Sequence, residues 1–428
     1  MLPTWIVLTT SLTYLLALFA VAHFADRMAI TNRRHSLVSN PYIYSLSIAV
    51  YCTSWTYYGS VGRAATSGVG FLPIYLGPTI MFTAGWFVLR KILRICKTQR
   101  ITSIADFIAS RYGKSQLISG LVAVITVIVI IPYISLQLKA VAVSFGVVLA
   151  KDFQTAEIGA GAYDIASLVT LVLAAFAILF GTRHIEATEH HAGMVVAIAV
   201  ESVVKLVAFL AVGVYVTFGL FNGFGDIYAK AAAHPELTKL MTMDVAGPSW
   251  FTLIFLSMAA IVCLPRQFQV TFVENTDENH LTRATWLFPL YLLVINIFVL
   301  PIALGGILLL GQSGTDADTY VLVLPLSAGQ PTLTLFVLIG GLSAAAAMVI
   351  VATIALSTMV CNDLVMPTLF RVMEQRLAGQ RDLTSLLLNI RRSVIFVVLL
   401  LAYLYLAAVG ETYHLVTIGL VSFCGVAQ

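Results

Sequence analysis

Apolar stretches recur along the chain near residues 3–24, 42–62, 71–95, 117–150, 163–182, 192–221, 249–265, 285–311, 331–366 and 393–409. An eleventh begins near Tyr413 and is still running at Gln428. A bilayer core of about 30 Å needs about 20 apolar residues in a helix, and a helix closes its own backbone hydrogen bonds where no water is present. The pattern therefore predicts an all-α polytopic membrane protein, and a chain that stops inside an apolar run predicts the front part of a longer one. The first run has no basic leader and no small-residue cleavage pattern, so it reads as a retained helix.

Two runs look interrupted. The second contains Tyr51-Cys52-Thr53-Ser54-Trp55-Thr56-Tyr57-Tyr58-Gly59-Ser60, where hydroxyls, aromatics and small residues replace leucine. The seventh reaches Cys263-Leu264-Pro265-Arg266-Gln267, and Pro265 removes a backbone donor. Broken spans in matching positions of two halves mark transporter sites, because unwound backbone is tolerated only where it lines a cavity. The second and seventh runs are five apart, as an inverted five-plus-five repeat requires. The alternative is a polar helix face in one and a helix end in the other.

Charges inside apolar runs are costly and call for individual accounts. Glu201 and Lys205, four apart, share a helix face where they pair as ions or act in coupling. Lys139 follows Gln137 after Pro132 and either snorkels to the outer interface or faces a cavity with Gln137.

Composition agrees with the membrane reading: 60% of residues are hydrophobic and 10% charged, so the chain cannot cover a soluble surface. The net charge of +4 is scattered and argues for no nucleic-acid partner. Lysine and arginine instead set orientation. With the N-terminus outside, 18 of them fall in inside segments and 4 in outside ones, which predicts a periplasmic N-terminus in a bacterial inner membrane. Arg266 counts here as an inside-loop charge, 222–248 as an outside loop with one short surface helix, and 312–330 as an outside loop. The five cysteines show no paired spacing. The stretch 181–191 holds three histidines and two glutamates but lacks HExxH spacing, so a turn is favoured over a metal site. No phosphate loop, nucleophile elbow or catalytic carboxylate pair is present, so the chain reads as no enzyme and implies no cofactor.

The segments 49–78, 101–113, 132–142, 179–194, 201–206, 264–275 and 357–367 together resemble the sodium/solute symporter family, and within it the variant fused to sensor histidine kinases of the CbrA type. The resemblance covers the whole chain as a single transmembrane domain, 1–428. It implies a LeuT-like inverted-repeat core with a first repeat over 42–221, a second over 249–428 and an extra N-terminal helix within 1–30. It implies thirteen spans in a complete domain, so that this chain ends at about the eleventh. It implies transport or sensing of a small solute, an amino acid with histidine foremost. The intact protein would continue into PAS and kinase modules that signal to a response regulator, and the alternative is a plain sodium- or proton-coupled symporter. By position it nominates Ser54, Trp55, Tyr57, Tyr58, Gln137, Lys139 and Ser257 for substrate. The family's sodium site falls on Ala346, Val349 and Ile350, which lack the hydroxyls a hard cation needs, with Ser343 or Thr353 as substitutes a turn away. Proton coupling, with Glu201 as the buried carboxyl, or sensing without a coupling ion becomes the more attractive expectation.

Overall fold

The computed structural model describes residues 3–31, 39–149, 160–181, 191–241, 248–311, 314–372 and 384–409, and these are helical almost throughout. The stretch 182–190 and the eleventh run from Tyr413 lie outside the described residues. After α1 (Thr4–Thr31), the second run opens as α2 (Pro41–Ile48). Asn40 caps it by accepting the Tyr42 N–H, and Pro41 stands where a missing N–H costs nothing. A 3-10 turn over Ala49–Tyr51 follows, Cys52 is extended (φ −78°, ψ 97°), and the chain resumes as a π-helical turn over Trp55–Gly59 leading into α3 (Ser60–Ser67). Hydroxyl side chains compete with the helix for backbone groups. Here the Thr53 hydroxyl accepts the Trp55 N–H at 3.2 Å, a local bond that an uninterrupted helix would not use.

A 61° bend at Leu72 joins this helix to α4 (Pro73–Thr83), and α5 (Trp86–Gln99) completes the third run. α6 (Ile104–Arg111) is a short helix capped by Ser103, whose hydroxyl accepts the Asp106 N–H. α7 (Gln116–Leu149), α8 (Ala160–Gly181) and α9 (Ala192–Val214) are long. Among the described residues between 222 and 248 there are two short helices, α10 (Phe224–Ala232) and α11 (Pro235–Met241), where one was expected. Each turns an apolar side inward, through Ile227, Ala231 and Leu237.

α12 (Pro248–Cys263) stops at Leu264, which has ψ 124°. The ring of Pro265 clashes with a helical residue before it and pushes that residue to an extended conformation. The run does not end there. It continues as α13 (Pro265–Phe268) and a π turn to Val273, with its axis bent by 55°. α14 (Glu278–Asn296) and α15 (Val299–Leu310) follow. The expected outside loop at 312–330 instead contains α16 (Tyr320–Ser327), in which Val321 to Leu324 are buried. α17 (Pro331–Met359), a π turn over Val360–Val365, α18 (Met366–Val372) and α19 (Thr384–Val409) complete the described chain.

α17 is the central post. It packs against α9, α7, α19 and α8, and nearly all of it is buried. α1, α7 and α19 instead expose apolar side chains on the outer surface; Leu117 is 83% exposed. An apolar girdle of that kind is stable against acyl chains and not against water. α2 lies between α9 and α14, and α12 lies along α4, so elements from the two halves of the chain interleave around the interruptions.

Candidate functional site

The interruption after α2 leaves carbonyls with no helical partner, and the C-terminal end of a helix favours positive charge. Lys205, on α9, supplies it. Its ammonium donates to the carbonyl oxygens of Ala49 and Cys52, both at 2.7 Å. The amide of Gln267, just after the second interruption, donates to the Ile48 carbonyl at 3.3 Å. Beyond the break, the Ser54 N–H donates to the side-chain oxygen of Gln137 on α7 at 3.0 Å. The first interruption is thus braced by α7, α9 and α13.

The half-helix α2 and the one that α13 begins are also tied to each other. The Tyr44 hydroxyl donates to the Thr271 carbonyl at 2.7 Å. Further along, buried Glu274 accepts the His191 N–H and pairs with its ring Nδ1, both at 2.8 Å, joining the start of α9 to the end of the second broken run. The half of the second run beyond the break is seated on α17: the Tyr57 hydroxyl donates to the Val337 carbonyl at 3.0 Å, and Tyr57 and Tyr58 approach Gly340 and Gly341 so closely that a Cβ there would overlap their hydroxyls.

Several buried polar atoms around the breaks have no protein partner: the Ser54 and Tyr58 hydroxyls, the Trp55 indole N–H, the Gln267 side-chain oxygen, and Nε and Nη1 of Arg266. Buried donors and acceptors left unmade cost about 1–3 kcal/mol each, so such a cluster in a native fold calls for an occupant.

The nominated residues divide accordingly. Ser54, Trp55 and Gln137 meet at the first interruption, with Tyr57 and Tyr58 one turn outward against α17. Lys139 is buried within α7. Ser257 is not brought to a break. Its hydroxyl lies 2.9 Å from the Pro73 and Ile254 carbonyls and joins α12 to α4. The ion pair anticipated for Glu201 and Lys205 is replaced by the lysine's bonds to the α2 carbonyls, and one carboxylate oxygen of Glu201 has no protein partner. Ser343, a possible sodium ligand, donates its hydroxyl to the Glu201 carbonyl, and Thr353 donates to Val349 of its own helix. Ala346, Val349 and Ile350 are buried and apolar.

Sequence reasoning missed Arg266 and Gln267. Arg266 is not a loop charge but a fully buried one, with its guanidinium carbon 4.6 Å from the centre of the Tyr133 ring. The signal was present: a charged and an amide residue directly after a proline break, inside a continuing apolar run.

The fold has a solved counterpart. The chain matches a Na+-coupled sialic acid symporter, in its substrate-bound outward-open state, with a TM-score of 0.70 over 98% of this chain and 85% of that one. The fold is that of a LeuT-type symporter. At 12% identity the likeness is one of fold alone. In sequence the chain is 25% identical over 300 residues to the uncharacterized symporter YhjB of Bacillus subtilis (strain 168), covering 68% of this chain and 56% of YhjB. It is 36% identical over 90 residues to the uncharacterized symporter YodF of the same organism, covering 21% of this chain and 18% of YodF. The chain thus spans little more than half the length of YhjB. No protein-family model matches it.

Proposed function

We propose that these residues form the solute-translocating domain of a secondary transporter, which binds a small polar solute at mid-membrane and exposes it alternately to the two sides. The observation that carries the reading is the pair of interrupted helices braced to each other, with partnerless polar atoms of Ser54, Trp55, Arg266 and Gln267 buried at the breaks. The repeat boundaries at 42–221 and 249–428, a periplasmic N-terminus in a bacterial inner membrane, and an amino acid solute with histidine foremost follow from the resemblance and from the placement of basic residues.

Coupling to sodium is disfavoured by two features. The positions on α17 that would supply hydroxyls are Ala346, Val349 and Ile350. The carbonyls that a free cation would use at the break of α2 hold the Lys205 ammonium instead. That second feature also favours another reading, in which the domain senses its solute as the input region of a two-component sensor histidine kinase. Uptake of labelled amino acids, histidine included, by cells carrying the intact protein and lacking competing permeases tests both. Uptake that persists when choline replaces sodium supports a sodium-independent transporter. Binding without uptake supports the receptor. Uptake that requires sodium would remove the role given to Lys205.

A further inference from the structure

We infer that Arg266 is an anion-binding residue: the solute carries a carboxylate that completes the hydrogen bonding of its guanidinium. The inference rests on the proposed solute site and specifies the chemical class that the site takes.

Arg266 lies in the first turn of α13, directly after Pro265, and is 1% exposed. Its Nη2 donates to the Tyr133 hydroxyl at 3.2 Å, and the guanidinium lies over the same ring. Nε and Nη1 have no protein partner. Those two nitrogens carry three of the five N–H donors of an arginine, a group that does not lose its charge by deprotonation in a protein. Among the described residues no carboxylate forms an ion pair with it. A buried charge is ordinarily paired, because leaving it bare is costly. The aromatic face of Tyr133 offsets only part of that cost.

The surroundings increase the need. Lys205, at the neighbouring break of α2, adds a second positive charge and has its bonds to Ala49 and Cys52. Against these two stands the Glu201 carboxyl, one turn along α9 from Lys205. A neutral solute would leave the excess positive charge in place. A carboxylate removes it and accepts the idle N–H groups. The Ser54 hydroxyl and the Trp55 indole N–H are further donors for such a solute, and the Gln267 side-chain oxygen is an acceptor suited to its ammonium or hydroxyl group.

The test uses the full chain purified in detergent, with melting temperature as the readout. The probes are L-histidine, L-glutamine, pyruvate and N-acetylneuraminate, each beside a partner lacking the carboxylate: histidinol, glutaminol, acetone and the sialic acid methyl ester. At least one carboxylate is expected to stabilise the protein where its partner without a carboxylate does not, and Arg266→Gln is expected to weaken that binding about tenfold to a hundredfold. Equal binding of an acid and its carboxylate-free partner overturns the inference, as does unchanged affinity in Arg266→Gln. Carboxylate-free solutes binding where no carboxylate does would overturn it while leaving transport standing. Carboxylate binding without any uptake by cells would leave it standing and count against transport. Ligand-free melting of Arg266→Met decides the case if no probe binds. A guanidinium kept for a solute is a liability in the empty protein, so this variant is expected to melt at the same temperature as the parent or higher. A clear drop would make Arg266 a structural residue and overturn the inference.

Discussion

Lys205 and Arg266 are both buried cations at the same pair of breaks, and they differ in how they are satisfied. The lysine caps two carbonyls at the end of an interrupted helix; the arginine leaves most of its donors idle. Removing them should therefore have opposite consequences. Lys205→Met is expected to destabilise the protein by about 2–4 kcal/mol, because two buried acceptors lose a charged donor. Thermal unfolding of the purified variant checks this, and a melting temperature equal to the parent's would show that the carbonyls find other partners. Trp55→Ala is expected to abolish solute binding while membrane insertion stays normal; retained binding would take Trp55 out of the site. The sequence showed that Glu201 and Lys205 share a helix face, but not that the lysine bonds elsewhere. Four methylenes carry its ammonium to carbonyls more than 150 residues away in the chain, a partner that sequence spacing cannot reveal.

At the scale of elements, the interruptions were legible and the short helices were not. Pro265 announces a break through its own ring, and the leucine-free stretch 51–60 announces the other through weak helix formers. α16 escaped notice because eight residues are too few to cross a bilayer, so the segment read as a loop although its middle is buried. The close seating on α17 of the second run beyond its break depends on Gly340 and Gly341. Gly341→Ala is expected to cost about 1–3 kcal/mol by forcing the Tyr58 hydroxyl away. Tyr58→Phe in the same chain should return part of that loss, since it removes the overlapping atom. A double variant no more stable than Gly341→Ala alone would place the strain elsewhere.

At the scale of the whole molecule, the ties cluster toward the end that the basic residues mark as the inside. Tyr44 holds Thr271, His191 holds Glu274, and Arg90 and Arg94 both meet Glu278. Moving Arg266 from the loops to the interior removes one inside charge and leaves the bias intact. The orientation is open to a direct check through exposed positions. A cysteine replacing Glu236 on α11 should react with an impermeant thiol reagent in intact cells, and one replacing Tyr112 after α6 only once the membrane is opened. The reverse pattern would invert the molecule. The lysine at the first break also bears on energetics. A sodium ion taken up on one side and released on the other carries the work of its gradient into the cycle. An ammonium tethered by its own side chain makes the same local attraction in every cycle but never crosses, so it draws nothing from that gradient. If the proposed carrier couples to no other ion or counter-solute, it can only level its solute between two compartments. Its occupancy would then report the abundance of the solute, as a gauge does, and not the work of a pump.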